Sequence, residues 1–523
     1  MTRYKQLHKK LLLLPAALLL LAGSSCKKDL DYTPEVFLSA QQVYKDQAGA
    51  TAGVTGIYQQ LQSIKKNEVS LMGIIGTDEM RFEYQAQAWG GYWAKVAGLD
   101  SYDITFNSQN DVMGYYWNYC YVGIANANYA IQYIPQIKNF ADVTVQNRLL
   151  AEARFLRALF YFQLVQFWGD VPLRIENMPF GDGVPRAPQD KIYELIIADL
   201  QYAQQNLWVR SKTPDAGRAT VEAAEALLGK VYLTLHRYND AKPLFEDLIN
   251  NKGIVLNTDY ADLFNKENTA ESLLEVQYSP QSGATNGLQN IFGASLASTP
   301  GGPTGSTTPG YGGNVVITTA WYADSLFDKV NDKRYAASIT PHFYASSDPS
   351  SNYDWWVDIG LPHLKKYDIT TSSGSIDIYN SAKNVIYLRS ADVFLMYAEV
   401  LNELGQPNAA LAPLNKVRDR AFGNALHEVP PTAQAALRDT IMDERSRELG
   451  GEGWRWFDLK RTNTLVQRVR THDNPRPYYV ARNGEGDPHL PQNVSDINYL
   501  YPIPLSELQN NPALSLTSQN PGY

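Results

Sequence analysis

The chain has 523 residues, of which 44% are hydrophobic, enough for one large domain or two to three average ones with a substantial core. Its 46 basic and 54 acidic residues give a net charge of −8. This balance excludes nucleic acid as a partner, because binding a phosphate backbone requires clustered lysine and arginine. The 34 tyrosines and 10 tryptophans are typical of wet recognition surfaces, although many of these rings are also expected between helices in the core.

The first residues have the order of a secretory signal peptide. Basic residues come first, an apolar run follows at residues 11–21, and small residues come next. The apolar run is too short to span a bilayer as a retained helix. Residues 1–25 are therefore predicted to be a lipoprotein signal peptide, and Cys26 follows them directly.

Cys26 is predicted to be a lipidation site, because a cysteine directly after the small residues is typical of a bacterial lipoprotein. Several acyl chains on that thiol would anchor the chain stably in a membrane. Gly23 stands where such signals usually carry leucine, and the alternative is an ordinary cysteine near a cleavage site. Cys120, the second cysteine, then has no partner, so we expect a buried, inert thiol and no disulfide framework.

After a short tether at residues 27–37, the chain is predicted to be mostly helical. Residues 147–168 are apolar nearly all round, which predicts a central buried helix that Gly169 and Pro172 end. Ser39 is the expected cap of the first helix. The predicted helices, in chain order, are residues 39–62, 118–134, 147–168 and 189–207, followed by a helix pair within 220–250.

The helix pair within residues 220–250 fits the tetratricopeptide pattern, in which small residues let two helices approach and large ones fill the groove between them. A second, weaker copy lies in residues 389–421. Two aligned copies predict a mainly α fold with a tetratricopeptide-like helical-repeat core, an α-α superhelix. The matching positions are Leu228, Gly229, Tyr232, Tyr238, Ala241 and Phe245 in the first copy and Ala398, Leu401, Ala410 and Leu414 in the second.

Residues 253–386, between the two copies, are predicted to be loop-rich with short strands at 272–278 and 385–388. Residues 282–313 are dominated by glycine, serine, threonine and proline, and an exposed loop without regular structure is expected there. We divide the mature chain into an N-terminal part, residues 26–250, and a C-terminal part, residues 251–523. The latter contains the loop-rich region, helices within 387–461 and a C-terminal segment.

No motif for catalysis, a metal or a cofactor is legible in the sequence. Zinc-ligand spacings, a nucleophile elbow, a P-loop and a dinucleotide fingerprint are all missing. A carboxylate pair for glycoside hydrolysis stays open, since spatial separation defines it. The densest acidic group is predicted to form a salt-bridged helix surface, because spacings of three and four place opposite charges side by side. That group is Asp443, Glu444, Glu448 and Glu452, interleaved with Arg445, Arg447 and Arg455.

Several stretches of the sequence resemble the RagB/SusD family of surface lipoproteins, which capture nutrients for Bacteroidota. These stretches occur in the order and spacing of the family and extend from the lipoprotein start to the last residue. Only Gly23 departs noticeably from the family pattern. The stretches are Phe167-Trp168-Gly169-Asp170-Val171-Pro172, Tyr387-Leu388-Arg389-x-Ala391-Asp392, Glu444-Arg445-x-Arg447-Glu448-Leu449-x-x-Glu452-Gly453-x-Arg455-Trp456-Phe457-Asp458-Leu459-Lys460-Arg461, Tyr501-Pro502-Ile503-Pro504 and Asn520-Pro521-Gly522-Tyr523.

This resemblance implies a SusD-like, non-enzymatic binder of oligosaccharides, anchored in the outer membrane through the lipid on Cys26. Its partner would be a SusC-like TonB-dependent outer-membrane transporter, over which it opens and closes like a lid. The tetratricopeptide face would contact the transporter while irregular loops bind the glycan. Lys27-Lys28-Asp29 resembles the signal that sends such lipoproteins to the cell exterior.

Aromatic residues on loops are the predicted glycan contacts, because sugar rings pair an apolar C–H face with a polar rim. Trp89, Tyr92 and Trp93 flank a glycine pair after the first helix and form the first candidate cluster. Each candidate has the alternative of a loop aromatic folded back on the core. The further candidates are Tyr311, Trp355 and Trp356, whereas Trp168, Trp454, Trp456 and Trp321 are expected to be structural.

Three other functions remain open at this point. A family member of this kind could bind peptide or glycoprotein fragments, since loop aromatics would serve either ligand. It could be an assembly scaffold for the transporter with no ligand of its own. A surface glycosidase is the third, and it would have to release product. The sequence names neither the glycan nor its linkage or length.

Overall fold

The computed structural model describes residues 39–83, 91–177, 182–279, 281, 283–293, 312–340, 362–369, 377–472 and 493–523. The described chain is mostly helical with a few short strands, which confirms the predicted fold class. No helix within these ranges is both long and apolar enough to cross a membrane. The helices are α1 (Ala40–Val43), α2 (Gln47–Ile64), α3 (Gly91–Ser101), α4 (Asp111–Tyr133), α5 (Val143–Trp168), α6 (Gln189–Asn206), α7 (Val221–Thr234), α8 (Tyr238–Glu246), α9 (Asp262–Asn265), α10 (Leu288–Phe292), α11 (Lys333–Ser338), α12 (Ser390–Glu403), α13 (Pro407–Phe422), α14 (Gln434–Leu449), α15 (Arg455–Arg461), α16 (Leu465–His472) and α17 (Leu505–Asn510).

The strands form two-stranded antiparallel pairs, β1 with β5, β2 with β3, β4 with β8 and β6 with β7. The two strands predicted at 272–278 and 385–388 are β4 and β8, and they pair with each other. This pairing joins the first part of the loop-rich region to the start of the second repeat. The strands are β1 (Met80–Phe82), β2 (Val171–Pro172), β3 (Arg186–Ala187), β4 (Ser272–Val276), β5 (Val316–Thr318), β6 (Ile339–Thr340), β7 (His363–Leu364) and β8 (Val385–Arg389).

The helix predicted at residues 39–62 is two helices, so that prediction is corrected. Ser39 does cap the first, α1, through a capping box with Gln42. A second cap, Asp46, accepts a 2.8 Å hydrogen bond from the backbone amide of Gly49 and starts α2. Between them Tyr44 folds back on α2, where a Cβ at Gly53 would lie 2.5 Å from the tyrosine hydroxyl. The break therefore lets this ring pack against the helix that follows.

Helix α5 is the buried centre of the N-terminal half, as predicted. It packs against α4 on one side and α6 on the other. Its last residue, Trp168, is fully buried, and Gly169 ends it with a φ of 72°, which glycine adopts without strain. Cys120, on α4, is also fully buried, and burial raises the pKa of its thiol well above the usual value. The predicted burial of Cys120 is thereby confirmed, and its low reactivity remains a prediction.

Both predicted repeats are helix pairs. The first consists of α7 and α8 and the second of α12 and α13, and α8 packs against α12. Gly229 shows why the pattern needs a small residue, because a Cβ there would lie 2.3 Å from the ring of Phe245. Ala398 and Ala410 are fully buried at the corresponding places in the second pair. The two pairs therefore form one continuous helical layer.

The described part of the loop-rich region contains three short helices, α9, α10 and α11, that the sequence analysis did not predict. Helix α10 lies within residues 282–313, where no regular element was expected. Asn286 accepts a hydrogen bond from the amide of Leu288 at its start, and Phe292 stacks on Tyr367 at a centroid distance of 4.8 Å. The prediction of a wholly irregular segment was wrong at these residues, because buried apolar side chains hold a short helix against the core.

The charged cluster of α14 is buried, whereas the sequence analysis placed it on a helix surface. Glu444 and Glu448 have no exposed surface. Arg334 reaches both, at 2.8 and 3.0 Å, and Arg389 reaches Glu448 at 2.6 Å. The predicted salt bridges exist, but they run between elements through the interior. Arg389 also joins Glu271 of the segment before β4, so the network links the two strands to the repeat layer.

Acid should destabilise the protein through this network. Burial alone would raise the pKa of Glu444, but Arg334, Arg447 and Arg418 outweigh it and lower that pKa to about 2. A carboxyl group with a depressed folded-state pKa stabilises the fold above its unfolded pKa of about 4.3 and loses that contribution as the pH falls towards 2. We expect the free energy of unfolding, measured with urea, to fall by roughly 1–3 kcal/mol between pH 5 and pH 3. An unchanged midpoint over that interval would contradict this assignment.

Candidate functional site

Two of the predicted glycan contacts, Tyr92 and Trp93, lie in the first turn of α3 and not in a loop. Both rings are partly exposed and pack on one side against the core. The Trp93 ring meets Tyr92 edge-on at 5.9 Å and the buried Phe82 of β1 at 6.3 Å. The loop prediction is corrected for these two residues, because Gly91 begins a helix instead of a flexible turn. The other predicted site residues, Trp89, Tyr311, Trp355, Trp356 and the lipidation site Cys26, lie outside the described residues.

Tyr92 is directed towards the first turns of α4. Burial is the main cause that raises the pKa of its hydroxyl far above the usual value, and the nearby ionisable groups Glu68, Tyr115, Asp111 and Tyr119 add to it. Tyr115, on α4, has 48% of its surface exposed. The predicted aromatic cluster therefore continues across α4 as a patch of tyrosines.

A groove runs beside this patch and encloses about 610 Å³. Its floor and walls come from four places in the chain: Lys95 of α3, the end of the α3–α4 connection, the first two turns of α4, and α17 with the residue before it. Tyr115 stands at its edge. Its lining consists of Lys95, Ser108, Gln109, Asn110, Asp111, Gly114, Tyr115, Asn118, Pro504, Leu505, Ser506 and Gln509.

Hydrogen bonds fix the walls of this groove. Asn110 caps α4 through its side-chain oxygen and donates from its amide to the carbonyl of Lys95 at 2.7 Å. The amide of Leu505 donates to the carbonyl of Ser108 at 2.8 Å, which fastens α17 to the connection. Beneath α17, Glu507 accepts from Arg174 at 2.8 Å. These hydrogen bonds thus hold the elements of the groove in place.

The polar groups free to meet a ligand are neutral. The side-chain amides of Gln109, Asn118 and Gln509 hydrogen-bond to no other group in the described part of the chain. The two charged lining residues, Lys95 and Asp111, pair with each other at 2.6 Å. An exposed tyrosine ring beside uncommitted amides matches a sugar ring, which has an apolar face and hydroxyl groups around its rim.

The groove does not have the features of an active site. It holds one carboxylate, that of Asp111, whereas glycoside hydrolysis uses two that flank the bond. Across the described ranges, no three histidine, cysteine, aspartate or glutamate side chains converge in a way that could hold a metal ion. The arrangement is that of a recognition surface.

The sequence analysis missed Tyr115 and Asn118, although a signal for them was present. Val112, Met113, Tyr116 and Cys120 recur at helical spacing and are buried on one face of α4. Tyr115 and Asn118 fall on the opposite face of the same helix. Gln509 carried no such signal, since only the tertiary fold brings α17 beside α4.

Comparison with known proteins decides the family. A family model described as the SusD family matches residues 270–523, and a second, described as starch-binding associating with outer membrane, matches residues 38–233. A SusD-like protein (P2) of Formosa agariphila is 27% identical over 97% of this chain and 98% of its own length. The chain belongs to the SusD family.

Solved structures of the SusD family share the fold. A laminarin binding SusD-like protein superposes with a TM-score of 0.73 at 26% identity, over 92% of this chain and 100% of the other. A SusD homolog from Bacteroides thetaiotaomicron gives a TM-score of 0.78 at 23% identity, over 94% of this chain and all of its own. The first of these structures is named for laminarin binding, and the description of the second matched family model associates that family with the outer membrane.

Proposed function

We propose that the protein captures neutral oligosaccharides at the cell surface, with the groove beside Tyr115 as the glycan site. The observation that carries this proposal is the exposed Tyr115 ring beside three uncommitted side-chain amides in a groove of about 610 Å³. The paired charges of Lys95 and Asp111 leave the lining without net charge, so a neutral glycan fits better than an acidic one. The 26% identical relative named for laminarin binding supports the same ligand class.

The predicted aromatic contacts extend this site. Tyr92 and Trp93 flank the tyrosine patch, and Trp89 comes two residues before the start of α3. We propose that Trp89 provides a further stacking ring at this end of the groove. Tyr311, Trp355 and Trp356 remain predicted contacts from the loop-rich region.

Delivery to a transporter is the second half of the proposed function. Lipidation at Cys26 would hold the chain at the outer membrane, facing the exterior, and a SusC-like TonB-dependent transporter would receive the glycan. Copurification with a barrel transporter tests this part. A chain that copurifies with the transporter but binds no glycan would favour the scaffold role, and binding of peptides alone would favour the peptide-binding role.

Affinity electrophoresis tests the glycan site directly. The lipid-free chain beginning at Lys27 is run through gels that contain laminarin, starch or alginate. We expect retardation in at least one neutral glycan and none in alginate. Tyr115→Ala should weaken that binding about tenfold or more, as loss of a central aromatic contact does.

Tyr379→Ala is the matched control, since Tyr379 is 64% exposed and does not line the groove. It should migrate like the unchanged protein in every gel. Equal binding by the Tyr115→Ala variant and the unchanged protein would remove this groove as the glycan site. Release of shortened sugars by the purified protein would instead support the glycosidase alternative.

A further inference from the structure

A second groove lies between α2 and strand β4, and it encloses about 420 Å³. It shares no lining residue with the groove beside Tyr115. Cavities of this size accommodate small ligands. The lining consists of Thr55, Gly56, Tyr58, Gln59, Leu61, Gln62, Ala216, Gly217, Arg218, Glu275, Val276, Gln277 and Ala284.

The floor of this second groove is apolar and its rim is polar. Leu61 and Val276 are almost fully buried and line it together with the ring of Tyr58. The polar rim consists of the side chains of Gln59, Gln62 and the other polar lining residues. A surface of this kind offers an apolar patch for C–H groups and hydrogen-bonding groups around it.

The two charged residues that line the second groove, Arg218 and Glu275, both hydrogen-bond to other groups of the protein. Arg218 donates to Glu152 at 3.0 Å and to Thr55 at 2.8 Å, and it lies over the Tyr58 ring at 5.4 Å. One carboxylate oxygen of Glu275 accepts from the amide of Asn268 at 2.9 Å. The charge of Arg218 is thereby compensated, whereas Glu275 pairs with no cation in the described residues, and burial raises the pKa of its carboxyl group.

The uncommitted groups are neutral amides. The side chain of Gln59 hydrogen-bonds to no other described residue, and Gln62 uses only its NH₂ group, which donates to the carbonyl of Gln277 at 2.7 Å. The side-chain amide of Gln59 can therefore both donate and accept, and the side-chain oxygen of Gln62 can accept. Sugar hydroxyl groups, which also donate and accept, complement this set.

Two glycines shape the walls. A Cβ at Gly56 would have no atom within 4 Å, so this helical position opens onto the groove. Gly217 has a φ of +78°, and a Cβ there would lie 2.4 Å from the side chain of Gln277, so the loop is pressed against that side chain. In turn Gln277 is fixed by reciprocal amide hydrogen bonds to Asn268 at 2.9 and 3.0 Å. The groove is therefore largely preformed.

We propose that this groove is a second, independent sugar-binding site for a neutral pyranose or short oligosaccharide. The choice of ligand class rests on the proposed function, whereas the existence of a second site rests on the groove itself. Two sites on one chain would hold a long polysaccharide at two places, which raises its overall affinity through effective concentration.

Isothermal titration calorimetry with defined hexaoses tests this proposal. The lipid-free chain is titrated with laminarihexaose, maltohexaose, cellohexaose and xylohexaose. In the double variant Gly56→Leu/Gln59→Ala, the leucine fills part of the second groove and the alanine removes its free amide. A Cβ at Gly56 meets no atom within 4 Å, and both substitutions raise helix propensity. Gly56→Ala is its control, because a single methyl group leaves most of the space.

We expect two binding sites per chain for at least one hexaose. One site should remain in Gly56→Leu/Gln59→Ala, one in Tyr115→Ala, and two in Gly56→Ala, with thermal unfolding confirming that each variant is folded. A single site that only Tyr115→Ala removes would overturn the second site and leave the proposed function standing. A single site that only Gly56→Leu/Gln59→Ala removes would support the second groove and overturn the first, and no binding of any hexaose would overturn both.

Discussion

Replacing Glu448 by glutamine should destabilise the protein by about 3–5 kcal/mol, as removal of one partner from a buried ion network does. Glu448 is fully buried and accepts from Arg389, Arg334 and Arg420. Burial would raise the pKa of Glu448, yet these guanidinium groups hold it far below the usual range. Glutamine keeps the shape of the side chain but removes the charge that three cations share, and it brings an NH₂ group towards them.

The measurement is urea unfolding at pH 7, followed by circular dichroism. Glu194→Gln is the matched control, since Glu194 is an exposed helical residue paired with Lys191 at 2.8 Å. Such surface pairs contribute little, so the midpoint of this control should stay close to that of the unchanged protein. If Glu448→Gln lowers the free energy of unfolding by less than about 1 kcal/mol, the charge of Glu448 does not hold the network together.

Trp168→Ala should lower the free energy of unfolding by about 3–5 kcal/mol, which is the range for removing a fully buried large aromatic side chain. The ring of Trp168 meets Trp117 edge-on at 5.1 Å and Tyr501 at 6.3 Å, and its indole NH donates to the carbonyl of Pro502 at 2.9 Å. It therefore joins α5 and α4 to the segment that leads into α17. Its loss removes both packing and a buried hydrogen bond.

Thermal and urea unfolding of Trp168→Ala, Trp168→Phe and Tyr115→Ala together separate these contributions. The stability of Trp168→Phe should lie between that of Trp168→Ala and that of the unchanged protein. Phenylalanine keeps most of the apolar volume but leaves the Pro502 carbonyl without its hydrogen-bond donor. Tyr115→Ala should leave stability nearly unchanged, since this ring is 48% exposed. Equal stability of all three variants would contradict the central role of Trp168.

The helical layer could be predicted from the sequence because its signals are local. The signals are the apolar run that became α5, the small residue Gly229 and the short segments that became β4 and β8, and each depends on near neighbours in the chain. The break between α1 and α2 could not be read in the same way. Its cause is Tyr44 folding back beside Gly53, a contact that helical periodicity alone does not indicate.

The charged cluster of α14 shows where local patterns mislead. Charges three and four residues apart predict a solvated helix face, and nothing in α14 itself says otherwise. The partners that make burial tolerable, Arg334 and Arg389, come from distant parts of the chain. The same limit applied to the proposed glycan site, where the sequence indicated the aromatic cluster near Tyr92 but not the amide of Gln509.

The buried Cys120 makes the protein convenient for spectroscopic labelling. A lipid-free chain that begins at Lys27 has this cysteine as its sole thiol, since the sequence contains two and the other is Cys26. Maleimides react with thiolates, and burial both shields Cys120 and raises its pKa. A cysteine introduced at the surface would therefore take up a fluorophore or spin label selectively, without prior removal of the native thiol. The proposed association with a transporter could then be tested as a distance between a label on this chain and one on the transporter.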